Sequence, residues 1–193
     1  MKFIFAQGNP DQKYAGTRHN TGFMALDAFG EEHSALWKNL DKFDARIAEI
    51  VINGEKVLLI KPLSFYNDTG IVARRVLDFY KADPTKDLLV IHDDLALPLG
   101  TIRVRVKGGD AGNNGVKSLT VHLGPLYSRI RVGIWTELRD RMDDVNFVLG
   151  RFDLHEQKKL DTHIFPHVIK LIDQFLKGTL EATSDTLPEI VQT

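Results

Sequence analysis

The uninterrupted apolar run Leu88-Leu89-Val90-Ile91, ending in His92-Asp93-Asp94, constrains the fold more than any other part of the chain. A strand with one wet face alternates apolar and polar residues, whereas a run without alternation fits a strand covered on both faces, as in α/β sheets. In such sheets ligands gather beyond the carboxyl ends of central strands, which is where Asp93 and Asp94 fall. Met1 to Gln7 reads as another buried strand and Arg129 to Trp135 as a third, with helical periodicity between them. These features predict an α/β protein. No internal repeat, low-complexity tract or linker divides residues 1–193, so one domain is expected.

After the first strand, Gly8-Asn9-Pro10-Asp11 breaks the pattern and opens a polar loop reaching Asn20; loops after strands are where sites collect. Thr21 is placed as the cap of a helix carrying Phe23, Met24, Leu26, Ala28 and Phe29. Asn53-Gly54, between Asp44 to Ile52 and Glu55 to Lys61, is a hairpin signal, because both central positions of its turn need positive φ. Pro62 ends the second arm, and Leu63 to Asn67 form a short loop. The helix that follows is expected to bury Val72, Val76, Phe79 and Tyr80 and to be closed by Pro84. In Thr101 to Lys107, period-2 alternation puts Arg103, Arg105 and Lys107 on one face and Ile102, Val104 and Val106 on the other. A glycine-rich segment, Gly108 to Gly115, then leads to a helix through Leu123. The last long helix starts at Asp153, with Glu156 completing a capping box. It carries Leu160, Ile164, Val168, Leu171 and Phe175 on one face and is expected to kink at Pro166. Residues 179–193 hold few apolar side chains and are expected to form a loosely ordered tail.

The absence of cysteine excludes disulfides, thiolate nucleophiles and zinc ribbons. Met1 to Ala6 is too short an apolar run for a signal peptide, and no later run approaches the roughly 20 residues of a membrane helix. A cytoplasmic protein with no membrane contact is expected. The formal net charge of -1 gives no general attraction for polyanions, so any RNA contact has to come from a local patch. Arg103, Arg105 and Lys107 form one candidate; the solvated face of an edge strand gives the same pattern.

Two polar clusters can carry chemistry. In the glycine-rich segment the order Gly115-Val116-Lys117-Ser118 misses the phosphate-loop signature by one residue, and a single glycine, Gly8, after the first strand fails the dinucleotide-binding one. That segment is therefore either a plain turn or a presenter of the Asn113 and Asn114 amides, which bind polar groups without carrying charge. The second cluster is His19, between Arg18 and Asn20 in the polar loop. A carboxylate such as Asp93 could fix its tautomer and raise its basicity, as in base-plus-orienter pairs. A metal centre of His92, Asp93, Asp94 and His19 is disfavoured because adjacent strand residues point to opposite faces. His163 and His167, at i, i+4 around Pro166, read as surface residues.

Taken in order, these residues resemble the bacterial-type peptidyl-tRNA hydrolase family. The matching elements are Gly8-Asn9-Pro10, Tyr14, Thr17-Arg18-His19-Asn20 with Gly22, Lys61-Pro62 with Phe65, Asn67 and Gly70, and His92-Asp93-Asp94-Leu95 with Leu97-Pro98 and Gly100. Asn114-Gly115 with Lys117-Ser118, Arg129 to Ile134 and Phe147 to Gly150 follow, so the resemblance runs from about Phe3 to Phe175. It implies a twisted mixed β-sheet flanked by α-helices, and hydrolysis of the ester joining a stalled peptide to the tRNA 3′ ribose, without cofactor or metal, in a monomer. It also implies that His19 is the general base and Asp93 its orienter. Asn9, Asn67 and Asn114 would hold peptide and terminal nucleotide, with Asn113 beside them, and Tyr14 and Phe65 would line the site for the 3′ end. Arg103, Arg105, Lys107 and Lys117 would meet tRNA phosphates, and Arg131 fits either that surface or a structural role. The chain departs from the family at Tyr66 for a usual Met, Asn113 for a usual His, Trp135 for Gly and Ala96 for Asp; Gln7 and Asp11 are unusual flanks of Asn9. Asn113 cannot titrate, so any proton or peptide contact made by a histidine there is lost. A non-catalytic RNA-binding relative is the competing reading, and a metal-dependent esterase, which chelation would silence, is a third.

Overall fold

The strand Lys2–Ala6 (β1) is buried from Phe3 onward and lies inside the sheet of the computed structural model, which describes residues 1–189. Next come Thr21–Glu32 (α1), Lys38–Leu40 (β2), Ala45–Ile52 (β3), Glu55–Pro62 (β4), Thr69–Tyr80 (α2) and the short Pro84–Asp87 (α3). Leu88–Pro98 (β5), Thr101–Arg105 (β6), Asn114–Leu123 (α4) and Ser128–Trp135 (β7) follow, then Asp144–Leu149 (α5), Leu154–Lys159 (α6), Phe165–Leu176 (α7) and Ser184–Thr186 (β8). The strands form one eight-stranded sheet in the order β2-β3-β4-β1-β5-β7-β6-β8. Its centre, β4-β1-β5-β7, is parallel, and both flanks are antiparallel. This is the mixed α/β sheet that was expected.

The apolar run of β5 serves both faces. Leu89 and Ile91 join a core with α1 and α7, while Leu88 and Val90 join one with α2 and α4. The hairpin turn is as read: Asn53 and Gly54 have φ of 51° and 80°. In α2 the buried stripe is Val72, Ala73, Val76 and Leu77, and Phe79 is 58% exposed, packing edge-on against Phe43 and Tyr80. Spacing alone placed the stripe about a residue off at the helix end, where Lys81 in the left-handed conformation stops the helix before Pro84. Thr21 is the first helical residue rather than the cap, and its hydroxyl donates to the Arg18 carbonyl.

The Asp153–Glu156 capping box is present. The kink expected at Pro166 is a π-helical turn, Leu160–Ile164, which lets the proline sit in the first turn of α7, where its missing N–H breaks no bond. Two expectations are corrected on the far flank. β6 ends at Arg105, so Val106 is exposed and Lys107 lies beyond the strand. β6 is also no edge, because β8 pairs with it and Leu180 and Leu187 pack on the core. The loose tail is therefore corrected through residue 189: few apolar residues suffice when the open hydrogen bonds of a strand edge fix the segment. Residues 190–193 lie outside the described residues.

Candidate active site

The carboxyl ends of β1 and β5, with the loops beyond them, border a cleft of about 630 Å³. Asn9, Tyr14, His19, Phe65, Asn67, Asp93, Asn113 and Asn114 all line it, although they come from four separate stretches of chain. The Thr17 to Asn20 turn is braced on both sides of His19. Arg18 is 1% exposed; its guanidinium meets both Glu156 carboxylate oxygens at 2.8 and 2.6 Å and the Arg151 carbonyl at 2.6 Å, and lies over the Phe147 and Phe152 rings. Asn20 accepts from the Asn9 N–H and donates to the Asn9 carbonyl, both at 2.9 Å. Gly22 admits no side chain, since a Cβ there would collide with the Gln7 and Ile91 carbonyls.

His19 Nδ1 lies 2.9 Å from Asp93 Oδ2. Asp93, 2% exposed, receives a second hydrogen bond on Oδ1 from the Tyr66 hydroxyl at 2.5 Å. Burial by itself would raise the Asp93 pKa; the charge of His19 and hydrogen bonds from His19 and Tyr66 outweigh it and hold the carboxyl below its usual range. Burial and then the Asp93 charge push the Tyr66 hydroxyl well above its ordinary value, so it stays a donor. The ionised carboxylate keeps the His19 proton on Nδ1, and among the described residues Nε2 has no protein partner. The neighbouring His92 serves a different purpose: buried, with Nδ1 on the Asp93 carbonyl at 2.7 Å, it is held below its ordinary pKa chiefly by burial. Among the described residues, no three metal-ligating side chains converge.

The asparagines divide into two kinds. Asn9 Oδ1 accepts from the Tyr66 backbone N–H, and Asn113 Oδ1 caps α4 at the Val116 N–H while its Nδ2 donates to the Tyr66 oxygen at 3.0 Å. Asn67 and Asn114 are exposed, and their amides have no partner among the described residues. Phe65, 57% exposed, stands at the rim. Arg103, Arg105, Lys107 and Lys117 are outside the cleft. Strand register sets Arg103 opposite Arg131 and Arg105 opposite Arg129, so four guanidinium groups share one face of two strands. Arg131 pairs with Asp94 at 2.5 Å, and Arg129 binds the Gly108 and Gly109 carbonyls. Sequence reasoning missed Tyr66 as a site residue; the available signal was a tyrosine next to a buried segment, whose hydroxyl needs a partner.

The family model described as peptidyl-tRNA hydrolase matches residues 3–191. The chain belongs to the peptidyl-tRNA hydrolase family. The peptidyl-tRNA hydrolase of Ligilactobacillus salivarius is 41% identical over 174 residues, spanning 90% of this chain and 92% of that protein. That of Fusobacterium nucleatum is 44% identical over 161 residues, 83% of this chain and 82% of its own. The crystal structure of peptidyl-tRNA hydrolase from Acinetobacter baumannii superposes with a TM-score of 0.83 at 30% identity, covering 92% of this chain and 89% of that one. Tyr66 and Asn113, two of the positions at which the sequence is expected to depart from the family, touch each other. Among the described residues no helix is long and apolar enough to cross a membrane.

Proposed function

We propose that this enzyme hydrolyses the ester between peptide and tRNA in peptidyl-tRNA, with His19 as general base and Asp93 as its orienter. The observation that carries the reading is the 2.9 Å contact from His19 Nδ1 to the buried Asp93, on a histidine that lines the cleft and whose Nε2 has no partner among the described residues. A water at Nε2 gives up its proton as its oxygen attacks the ester carbonyl; the tetrahedral intermediate then collapses, and the same proton passes to the departing 3′ oxygen of the ribose. A base held this way supplies about 10²- to 10⁴-fold, enough for an activated ester. The amides of Asn67 and Asn114, without partners among the described residues, suit the peptide backbone and the developing oxyanion, a role worth roughly 3 kcal/mol where one donor is well placed. Phe65 and Tyr14 offer faces for the unstacked terminal base. Arg103, Arg105, Lys107 and Lys117 fit phosphates at a distance from the chemistry, binding backbone rather than sequence. The protein acts as a cytoplasmic monomer with no cofactor.

The test is release of peptide from N-blocked aminoacyl-tRNA by the intact protein, with and without chelator. Turnover indifferent to chelator is expected; tRNA binding without turnover would favour the non-catalytic relative, and loss on chelation the metal-dependent esterase.

A further inference from the structure

We infer that Tyr66 is a positioning residue for the His19–Asp93 pair, holding the carboxylate through its hydroxyl and the imidazole through its ring. The inference rests on the reading of His19 as base proposed above. The Tyr66 ring lies parallel to the His19 ring, with centroids 3.5 Å apart and an interplanar angle of 16°, so it blocks rotation of the imidazole toward one side. Its hydroxyl occupies Asp93 Oδ1 at 2.5 Å while His19 occupies Oδ2 at 2.9 Å, so each carboxylate oxygen has one donor and the group cannot swing without leaving one empty. Tyr66 is itself fixed. Its backbone N–H is held by Asn9, its oxygen accepts from Asn113 at 3.0 Å, and Gly115 leaves room against the ring that no side chain would leave. A residue that only filled space would need the ring and not the hydroxyl; the 3% exposure makes an idle hydroxyl costly, and here it is engaged twice.

The hydroxyl also takes up part of the Asp93 charge. In Tyr66→Phe more of that charge falls on His19 and stabilises its protonated form, so the acid limb of the kcat/KM profile moves to higher pH. The other titratable groups near His19 are unchanged in this variant: Arg18 on its own turn, Tyr14 before it, His92 and Asp94 on β5, Asp110 in the glycine-rich loop, and Arg139 and Asp144 across the cleft.

The experiment is steady-state peptide release over a pH series by wild type, Tyr66→Phe, Asn113→Ser and the pair, with His19→Ala as reference. Asn113→Ser keeps a cap for α4 but removes the amide that reaches Tyr66. The expected result is a kcat about tenfold lower in Tyr66→Phe with KM within about twofold, as for loss of one hydrogen bond to a charged group. The acid limb should rise, Asn113→Ser should show a smaller change of the same sign, and the pair should fall short of additivity. If Tyr66→Phe does not fold, the direction of the Asn113→Ser profile decides. A wild-type kcat and profile in Tyr66→Phe, or a change confined to KM, overturns the role of Tyr66 while an inactive His19→Ala leaves the base in place. An active His19→Ala overturns the reading of the base itself, and with it this inference.

Discussion

The wall of the cleft that carries His19 is braced residue by residue, whereas the wall formed by Phe65, Asn67 and the segment from Gly108 to Asn114 offers exposed side chains with few partners. On the first wall, Arg18 is locked to Glu156 and Asn20 to Asn9, so the imidazole between them has little freedom. On the second, Gly108, Ala111 and Gly112 adopt positive φ, and the loop is tied down mainly by Arg129 gripping two carbonyls and by the Asn113 cap. The difference fits the proposed roles: a base must sit within about half an ångström of its productive place, while a surface proposed to hold the peptide can use adaptable amides.

Breaking the first wall should have the largest effect. Arg18→Met leaves Glu156 without its ion-pair partner, with only the Asp153 N–H remaining, in a largely buried site and is expected to cost about 3–5 kcal/mol in urea unfolding; a loss under 1 kcal/mol would mean that the brace is not needed for the fold. Asp93→Asn keeps the shape but no longer fixes the imidazole tautomer, so kcat should fall about 10²- to 10³-fold with KM little changed in peptide-release kinetics. The second wall should respond in the opposite sense. Asn114→Ala is expected to raise KM about tenfold with kcat within about threefold, and a selective loss of kcat would move Asn114 to the oxyanion. The smallest effect is expected on the basic flank. Arg105→Glu with Lys107→Glu should weaken tRNA binding several-fold and lower its salt dependence by about 2 in slope, whereas unchanged binding at two salt concentrations removes both from the RNA surface.

The sequence made the braced wall partly legible and its bracing hardly at all. The continuous run before Asp93 marked a strand covered on both faces, and the polar loop before α1 marked His19, because burial and loop placement leave composition patterns. That His19 and Asp93 meet follows from the parallel pairing of β1 with β5, which no local pattern encodes. The same holds for Arg18 and Glu156, 138 residues apart, and for Tyr66, whose partners come from Asn9, Asp93 and Asn113. The segment after Gly178 shows the converse: its poor apolar content suggested looseness, yet β8 is held by backbone hydrogen bonds, which side-chain patterns do not record.

The most direct test is a single-turnover measurement of peptide release by His19→Ala, with tRNA affinity measured on the same preparation. The account predicts affinity close to wild type and a release rate lower by about 10²- to 10⁴-fold. Release at the wild-type rate by folded His19→Ala would contradict it, and would place the base elsewhere in the cleft.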